Sequence, residues 1–415
     1  MMQFLKNIYL RRPLLCIVFT AAILFSCNSS KNATITVPSE WVGTWAAAPQ
    51  LVEPGNMPPQ PGLRNNTIRQ VVRVSAGGGK LRVQFSNQFS KQPVTIKSAT
   101  IAVAKEGSRI DDATQALLRF SGKETVTMQP GTELFSDPVD FKLRPGSLLA
   151  ITIYFGETSP SLTGHPGSRT TSYILGGNQI KSADFKDAVK TDHWYVIKGI
   201  DVMTSPKAFA IAVLGNSITD GRGSGTNRQN RWTDILSERL LTNPSTQNRG
   251  VLNLGIGGNC VLRGGLGPTA LARFERDILS QSGVKYLLIL EGINDIGGIK
   301  NADEVPEIAQ QLIAAYALMA DKAHAKGMKV YGCTILPFQK SFYDTPFRQR
   351  ARDIVNEWIR TTRKFDAVID FDKTMRDPDD LRKILPDLHD NDWLHPNEAG
   401  YEKMGTSIDL NLFAQ

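Results

Sequence analysis

The sequence predicts two architectures in one chain: an all-β sandwich of jelly-roll-like type, then a three-layer α/β/α domain on a parallel sheet. Three observations carry this. At 415 residues the chain exceeds one ordinary domain, and two are the default expectation. From about Trp41 to Met203, short alternating apolar runs are separated by turn residues, the pattern of a sandwich. From Lys207 onward, apolar runs alternate with helical stretches, which implies a parallel sheet covered on both faces. The expected division is 1–26 as a removable signal, 27–37 as a tether, 38–205 as the sandwich and 206–415 as the α/β domain, with the boundary near Ser205-Pro206.

The amino terminus reads as an address. Lys6, Arg11 and Arg12 precede an apolar run from Pro13 to Phe25. That run is shorter than the roughly 20 apolar residues a spanning helix needs. Its end, Leu24-Phe25-Ser26-Cys27, resembles the lipobox of bacterial lipoproteins, which implies lipidation of Cys27 and anchorage to the cell envelope. Cys16 leaves with the signal. Cys260 and Cys333 then remain as two thiols in core-like positions, and no bridge is expected between them.

Composition narrows the partners. A hydrophobic content of 41% with 21% charged residues is that of a soluble globular protein. The formal net charge is +8, or +5 once Lys6, Arg11 and Arg12 are set aside. No basic run is interleaved with aromatics, so nucleic acid is not an expected partner.

In the first region, strands are expected at Thr67–Val74, Lys80–Phe85, Val94–Ile96, Ala99–Ala104, Thr125–Met128 and Leu148–Phe155. Gly77-Gly-Gly79, Gly131 and Pro145-Gly146 punctuate them. Trp41, Trp45 and Trp194 suit either core packing or contact with a glycan. In the second region, strands are expected at 208–214, 251–255, 284–290, 328–335 and 366–371. Helices are expected at 229–242, 269–282, 303–326, 347–363 and 398–412.

Four places in the second region carry chemistry-bearing residues at strand ends or in a late loop. The apolar run Ala208 to Leu214 passes into Gly215-Asn-Ser217, which presents one serine where α/β proteins keep their chemistry. Asn253-Leu-Gly-Ile-Gly-Gly-Asn259 follows the next strand, and its glycines let backbone N–H groups approach a ligand. Gly292-Ile-Asn-Asp295 follows Tyr286-Leu-Leu-Ile-Leu290. Asp392-Trp-Leu-His-Pro396 lies in the loop before the last helix. Taken alone, Ser217 could be a capping residue, Asn294 and Asp295 turn residues, and His395 a surface histidine. His165, His193, His324 and His389 have no motif partner.

Together, in this order, the four blocks resemble the GDSL/SGNH hydrolase superfamily across residues 208–412. The resemblance implies a flavodoxin-like α/β/α domain and a serine esterase. It implies Ser217 as nucleophile, His395 as general base and Asp392 as the carboxylate that orients the imidazole. It also implies an oxyanion hole from the N–H of Ser217, the N–H of Gly258 and the side-chain amide of Asn294. No metal or cofactor is required. The family's commoner Gly-Asp-Ser is Gly-Asn-Ser here, with Asn216 in the middle. In the first region, Trp41-Val-Gly-Thr-Trp-Ala-Ala-Ala-Pro49, Arg69–Ser75 and Gln84–Phe89 resemble secreted two-domain members of the superfamily, some found beside xylanases. The expected substrate is therefore an acylated carbohydrate bearing acetyl or other short esters. A lysophospholipase- or arylesterase-type hydrolase of lipids or small esters remains an alternative, and so does a non-catalytic glycan-binding lipoprotein.

Overall fold

Alternate side chains of the strand Phe209–Gly215 feed two different cores. Ala210, Ala212 and Leu214 pack among the helices on one face of the sheet, while Phe209, Ile211 and Val213 pack on the other. This is the period-two geometry of a strand buried on both faces. The computed structural model of the chain describes residues 40–414. The expected signal, tether and lipidation site at Cys27 lie outside them. Among the described residues no helix is long and apolar enough to cross a membrane.

The parallel sheet runs in the order Arg249–Gly255, Phe209–Gly215, Val284–Leu290, Lys329–Cys333, Ala367–Ile369. Chain order along the sheet is thus second, first, third, fourth, fifth. The direction of winding reverses beside the first strand, and loops leaving the carboxyl ends there part to form a crevice. The expected α/β/α layering is what the chain adopts, with strand and helix ends shifted by a few residues. One expected helix is interrupted: Ala270–Phe274 is α-helical and Glu275–Leu279 is a π-turn. The wider turn coincides with the fully buried Arg273 facing Asp277 at 3.4 Å.

Antiparallel sheets make up the first region. One contains Glu40–Ala46, Ile197–Thr204 and Gly78–Ser86, and another is centred on Asn66–Arg73, Leu148–Phe155 and Val94–Val103. Their inner faces share a core that includes Val72, Val83, Phe85, Ile101, Ile151 and Phe155. Each such side chain contributes roughly 1.5–3 kcal/mol by leaving water. The expected strands at 94–96 and 99–104 are one strand, Val94–Val103: Ser98 pairs with Tyr154, Lys97 is passed over as a bulge, and pairing resumes at Ile96 with Phe155.

The two regions are packed against each other. Val42, Ala46 and Ala48 of the first join the α/β core, and the N–H of Gly43 donates to Ser282 O at 2.9 Å. This places the loop after the strand Thr163–His165 at the carboxyl end of the parallel sheet. There Ser168 O accepts from Arg231, Arg169 O accepts from the N–H of Asn227 at 2.9 Å, and Thr170 Oγ1 accepts from Gln229 at 2.9 Å.

Candidate active site

The central strand ends in a turn from which the short helix Ser217–Asp220 starts at once. Asn216 caps it. Its Oδ1 accepts from the N–H of Ile218 at 3.1 Å, which leaves Nδ2 to donate to Oε2 of Glu291 at 3.3 Å. An aspartate here could keep the first bond but would face a second carboxyl group in the second. Asparagine suits a neighbour such as Glu291, whose burial pushes its carboxyl up to about 8.

Ser217 Oγ lies 2.8 Å from Nε2 of His395, and Nδ1 of His395 lies 2.6 Å from Oδ2 of Asp392. Both Ser217 and His395 are 7% exposed, so neither is a freely solvated side chain. Oδ1 of Asp392 accepts from the N–H groups of Leu394 and His395 at 3.0 and 2.9 Å. Burial alone would raise this carboxyl, but the ring and backbone donors of His395 outweigh it and hold it at about 2. An ionised Asp392 keeps a proton on Nδ1 and frees Nε2 to accept from the serine hydroxyl.

The glycine loop lies beside this row. Gly258 sits at φ 68°, a left-handed conformation that glycine adopts without strain. Among the described residues, the N–H groups of Ser217 and Gly258 are spent on no other acceptor. Asp295 pins the loop, because its carboxylate oxygens accept from the N–H groups of Val261 and Leu262 at 2.8 and 2.9 Å. Asn294 is oriented from both ends. Its Nδ2 donates to Asn259 O at 2.7 Å, and its Oδ1 accepts from the Tyr343 hydroxyl at 3.0 Å. That leaves one amide hydrogen for a ligand. Ser217, Gly258, Asn294 and His395 line one cavity of about 450 Å³. A second hollow of about 400 Å³ shares Gly258, Asn294 and Tyr343 with it and includes Leu262, Ile299 and Ile308.

The far wall of the main cavity comes from the sandwich: Gln50, Glu53, Asn56, Gly167, Arg169 and His193. His165, the last residue of the strand before Gly167 and Arg169, places Nε2 2.9 Å from Oδ1 of Asp220, three residues after Ser217. A Cβ on Gly167 would stand 1.9 Å from Oδ2 of Asp220, so only glycine lets the loop approach this closely. The sequence left His165 without a partner because Asp220 is supplied by the other region. Glu291 and Tyr343 escaped because Asn216 and Asn294, though in the same region, are far from them in sequence. The tryptophans resolve toward packing: Trp45 and Trp194 are buried edge-to-face at 5.0 Å, and Trp41 lies under Arg82. Cys260 and Cys333 are buried free thiols.

Residues 213–403 match the GDSL-like Lipase/Acylhydrolase family. Over those residues the chain is similar to that family, with a GDSL/SGNH-like fold. The match supports a carboxylic ester hydrolase activity for this hydrolase region. Comparison with curated proteins finds no match. Among solved structures, the hydrolase region is similar to an acetylxylan esterase from Geobacillus stearothermophilus. The two are 18% identical over 48% of this chain and 91% of that one, with a TM-score of 0.37. It is also similar to a GDSL-like lipase from Bacteroides thetaiotaomicron, 21% identical over 48% of this chain and 84% of that one, with a TM-score of 0.33. Neither likeness bears on what this chain acts on.

Proposed function

We propose that the protein is a serine esterase that removes acetyl or other short acyl groups from carbohydrate hydroxyls, with Ser217, His395 and Asp392 as its triad. The observation that carries this reading is the continuous row from Ser217 Oγ through the His395 ring to Asp392 at 2.8 and 2.6 Å. Ser217 Oγ attacks the ester carbonyl carbon while Nε2 of His395 takes the hydroxyl proton. The carbonyl oxygen gathers negative charge and is met by the N–H groups of Ser217 and Gly258 and the amide of Asn294. Collapse breaks the bond to the alcohol oxygen, which receives the proton from His395. Water, deprotonated by the same imidazole, then releases the acid and restores Ser217.

A saccharide as the alcohol is supported by the polar wall that Gln50, Glu53, Asn56 and His193 give the cavity. By this reading, lipidation of Cys27 keeps the enzyme on the bacterial cell envelope. A second reading, hydrolysis of longer acyl or lipid esters, draws on the hollow beyond Asn294, where Leu262, Ile299 and Ile308 offer apolar surface.

The purified protein and its Ser217→Ala variant should be assayed on 4-nitrophenyl esters of increasing chain length, beside acetylated xylan and pectin. The proposal expects highest kcat/KM on acetyl esters, acetate release from at least one polysaccharide, and neither with Ser217→Ala. Highest kcat/KM on long chains, with no acetate from polysaccharide, would favour the second reading.

A further inference from the structure

The main cavity holds two guanidinium groups without carboxylate partners, and each of its carboxylates has a partner. Oε1 of Glu53 accepts from Gln50 Nε2 at 2.5 Å and Oε2 from Asn56 Nδ2 at 3.0 Å. Asp220 is held by His165, and Asp392 behind the serine by His395. Arg169 and Arg222 line the same cavity. Among the described residues, neither has a carboxylate oxygen within 4.0 Å nor a side-chain hydrogen bond, and Nε of Arg169 is buried with no acceptor. A half-buried guanidinium has five N–H donors and no acceptor of its own, so leaving it unmatched is costly.

The protein also holds Arg169 in place. Its backbone is at φ 50°, in the left-handed region that non-glycine residues seldom occupy. Its carbonyl is tied to Asn227, and its neighbours Ser168 and Thr170 are tied to Arg231 and Gln229. A residue kept in an unfavourable backbone conformation, on a loop anchored at both sides, points to a ligand. The ester carbonyl is not that ligand, because the loops of the parallel sheet already supply its donors. Arg169 belongs to the part of the lining that the sandwich supplies, and Arg222, exposed, lines the same cavity.

We propose that Arg169, assisted by Arg222, binds an oxyanion on the saccharide that carries the ester, so that the preferred substrates are acylated acidic sugars. This rests on the esterase reading above and adds to it the charge of the substrate. A guanidinium meets a carboxylate or a sulfate through paired N–H···O bonds, a geometry lysine cannot reproduce. The anion therefore comes from a uronic acid or from a sulfated sugar.

The test compares four probes on the whole protein: 4-nitrophenyl acetate, an O-acetylated methyl uronide, the same sugar as its neutral uronamide, and an O-acetylated sugar 6-sulfate. The readout is the ratio of kcat/KM for each charged sugar to that for the uronamide. In the wild type the ratio should be about tenfold or more for at least one charged probe, and which one exceeds it identifies the anion. It should fall to near one in Arg169→Gln, fall partway in Arg222→Gln, and be only partly kept in Arg169→Lys. A wild-type ratio near one for both charged probes overturns the proposal, whether or not the variants fold. A high ratio that survives Arg169→Gln also overturns it, since Arg169 would then be only structural. Absence of Ser217-dependent cleavage of 4-nitrophenyl acetate would instead remove the esterase reading beneath it.

Discussion

The imidazole of His165, carried by the sandwich, lies 2.9 Å from the carboxylate of Asp220, on the helix that begins with Ser217. The other ring nitrogen lies 2.9 Å from Ala48 O, which can only accept, so Nδ1 must donate. The contact with Asp220 then needs one further proton, shared between Nε2 and Oδ1. Asp220 is 3% exposed, so losing this partner strands a buried acidic group. His165→Ala should therefore cost about 3–5 kcal/mol of stability. The double variant His165→Ala/Asp220→Asn should recover part of it. Urea unfolding of the two variants checks this, and a loss below about 1 kcal/mol for His165→Ala would mean the regions are not joined through this pair.

Glu291 gives the stability a pH dependence of definite sign. Its carboxyl, at about 8 in the fold through burial, returns to the ordinary range near 4.5 on unfolding. Between those values the native state holds a proton that the unfolded state has released. Its contribution therefore makes stability fall as pH rises from about 4.5 to about 8, by at most about 1.4 kcal/mol per unit. Glu291→Gln should flatten this slope in urea titrations at pH 5 and 8. Asn216→Asp should steepen it by placing a second carboxyl where the amide now donates. An unchanged slope in Glu291→Gln would show that Glu291 is ionised throughout.

Tyr343 bears on the proposed oxyanion donors at one remove. Its hydroxyl holds Oδ1 of Asn294, which turns the amide nitrogen toward the cavity. Asn294→Ala should lower kcat by roughly a hundred- to thousandfold, the usual cost of one such donor. Tyr343→Phe should lower kcat by about tenfold with little change in KM, because Asn259 still restrains the amide. Equal effects on kcat and KM would place Tyr343 in substrate binding.

The pH–rate profile should show a single ionisation on its acid limb. Asp392 is held at about 2 and stays ionised over the working range, so it does not contribute to that limb. Asp392→Asn should retain the fold and lose on the order of 100- to 10,000-fold in kcat, because the wrong tautomer is then favoured. Activity should survive EDTA. A rate unchanged down to pH 4, or one restored by zinc after chelation, would contradict the roles given to His395 and Ser217.

Much of this was legible where chemistry is local in sequence. Gly215-Asn-Ser217, the glycine loop, Asn294 and the Asp392–His395 pair sit at strand ends or in one loop, and each strand announces itself by an unbroken apolar run. Glu291, Tyr343, His165 and Arg169 were not legible, because their meaning depends on which partner the fold delivers. Tyr343 is 49 residues from Asn294, and His165 is 55 from Asp220. The short sandwich strands, such as Thr163–His165 and Trp194–Tyr195, are too brief for any periodicity to show. The first of these leads into the loop that gives Gly167 and Arg169 to the cavity.

The central claim is that Ser217 is a nucleophile activated by His395, and covalent labelling tests it most directly. The protein should be incubated with a fluorophosphonate, digested, and the modified peptide sequenced by mass spectrometry. The account predicts a single adduct on Ser217, formed orders of magnitude more slowly in His395→Ala and absent from Ser217→Ala. An adduct on another residue, or hydrolysis of 4-nitrophenyl acetate that persists in Ser217→Ala, would contradict it.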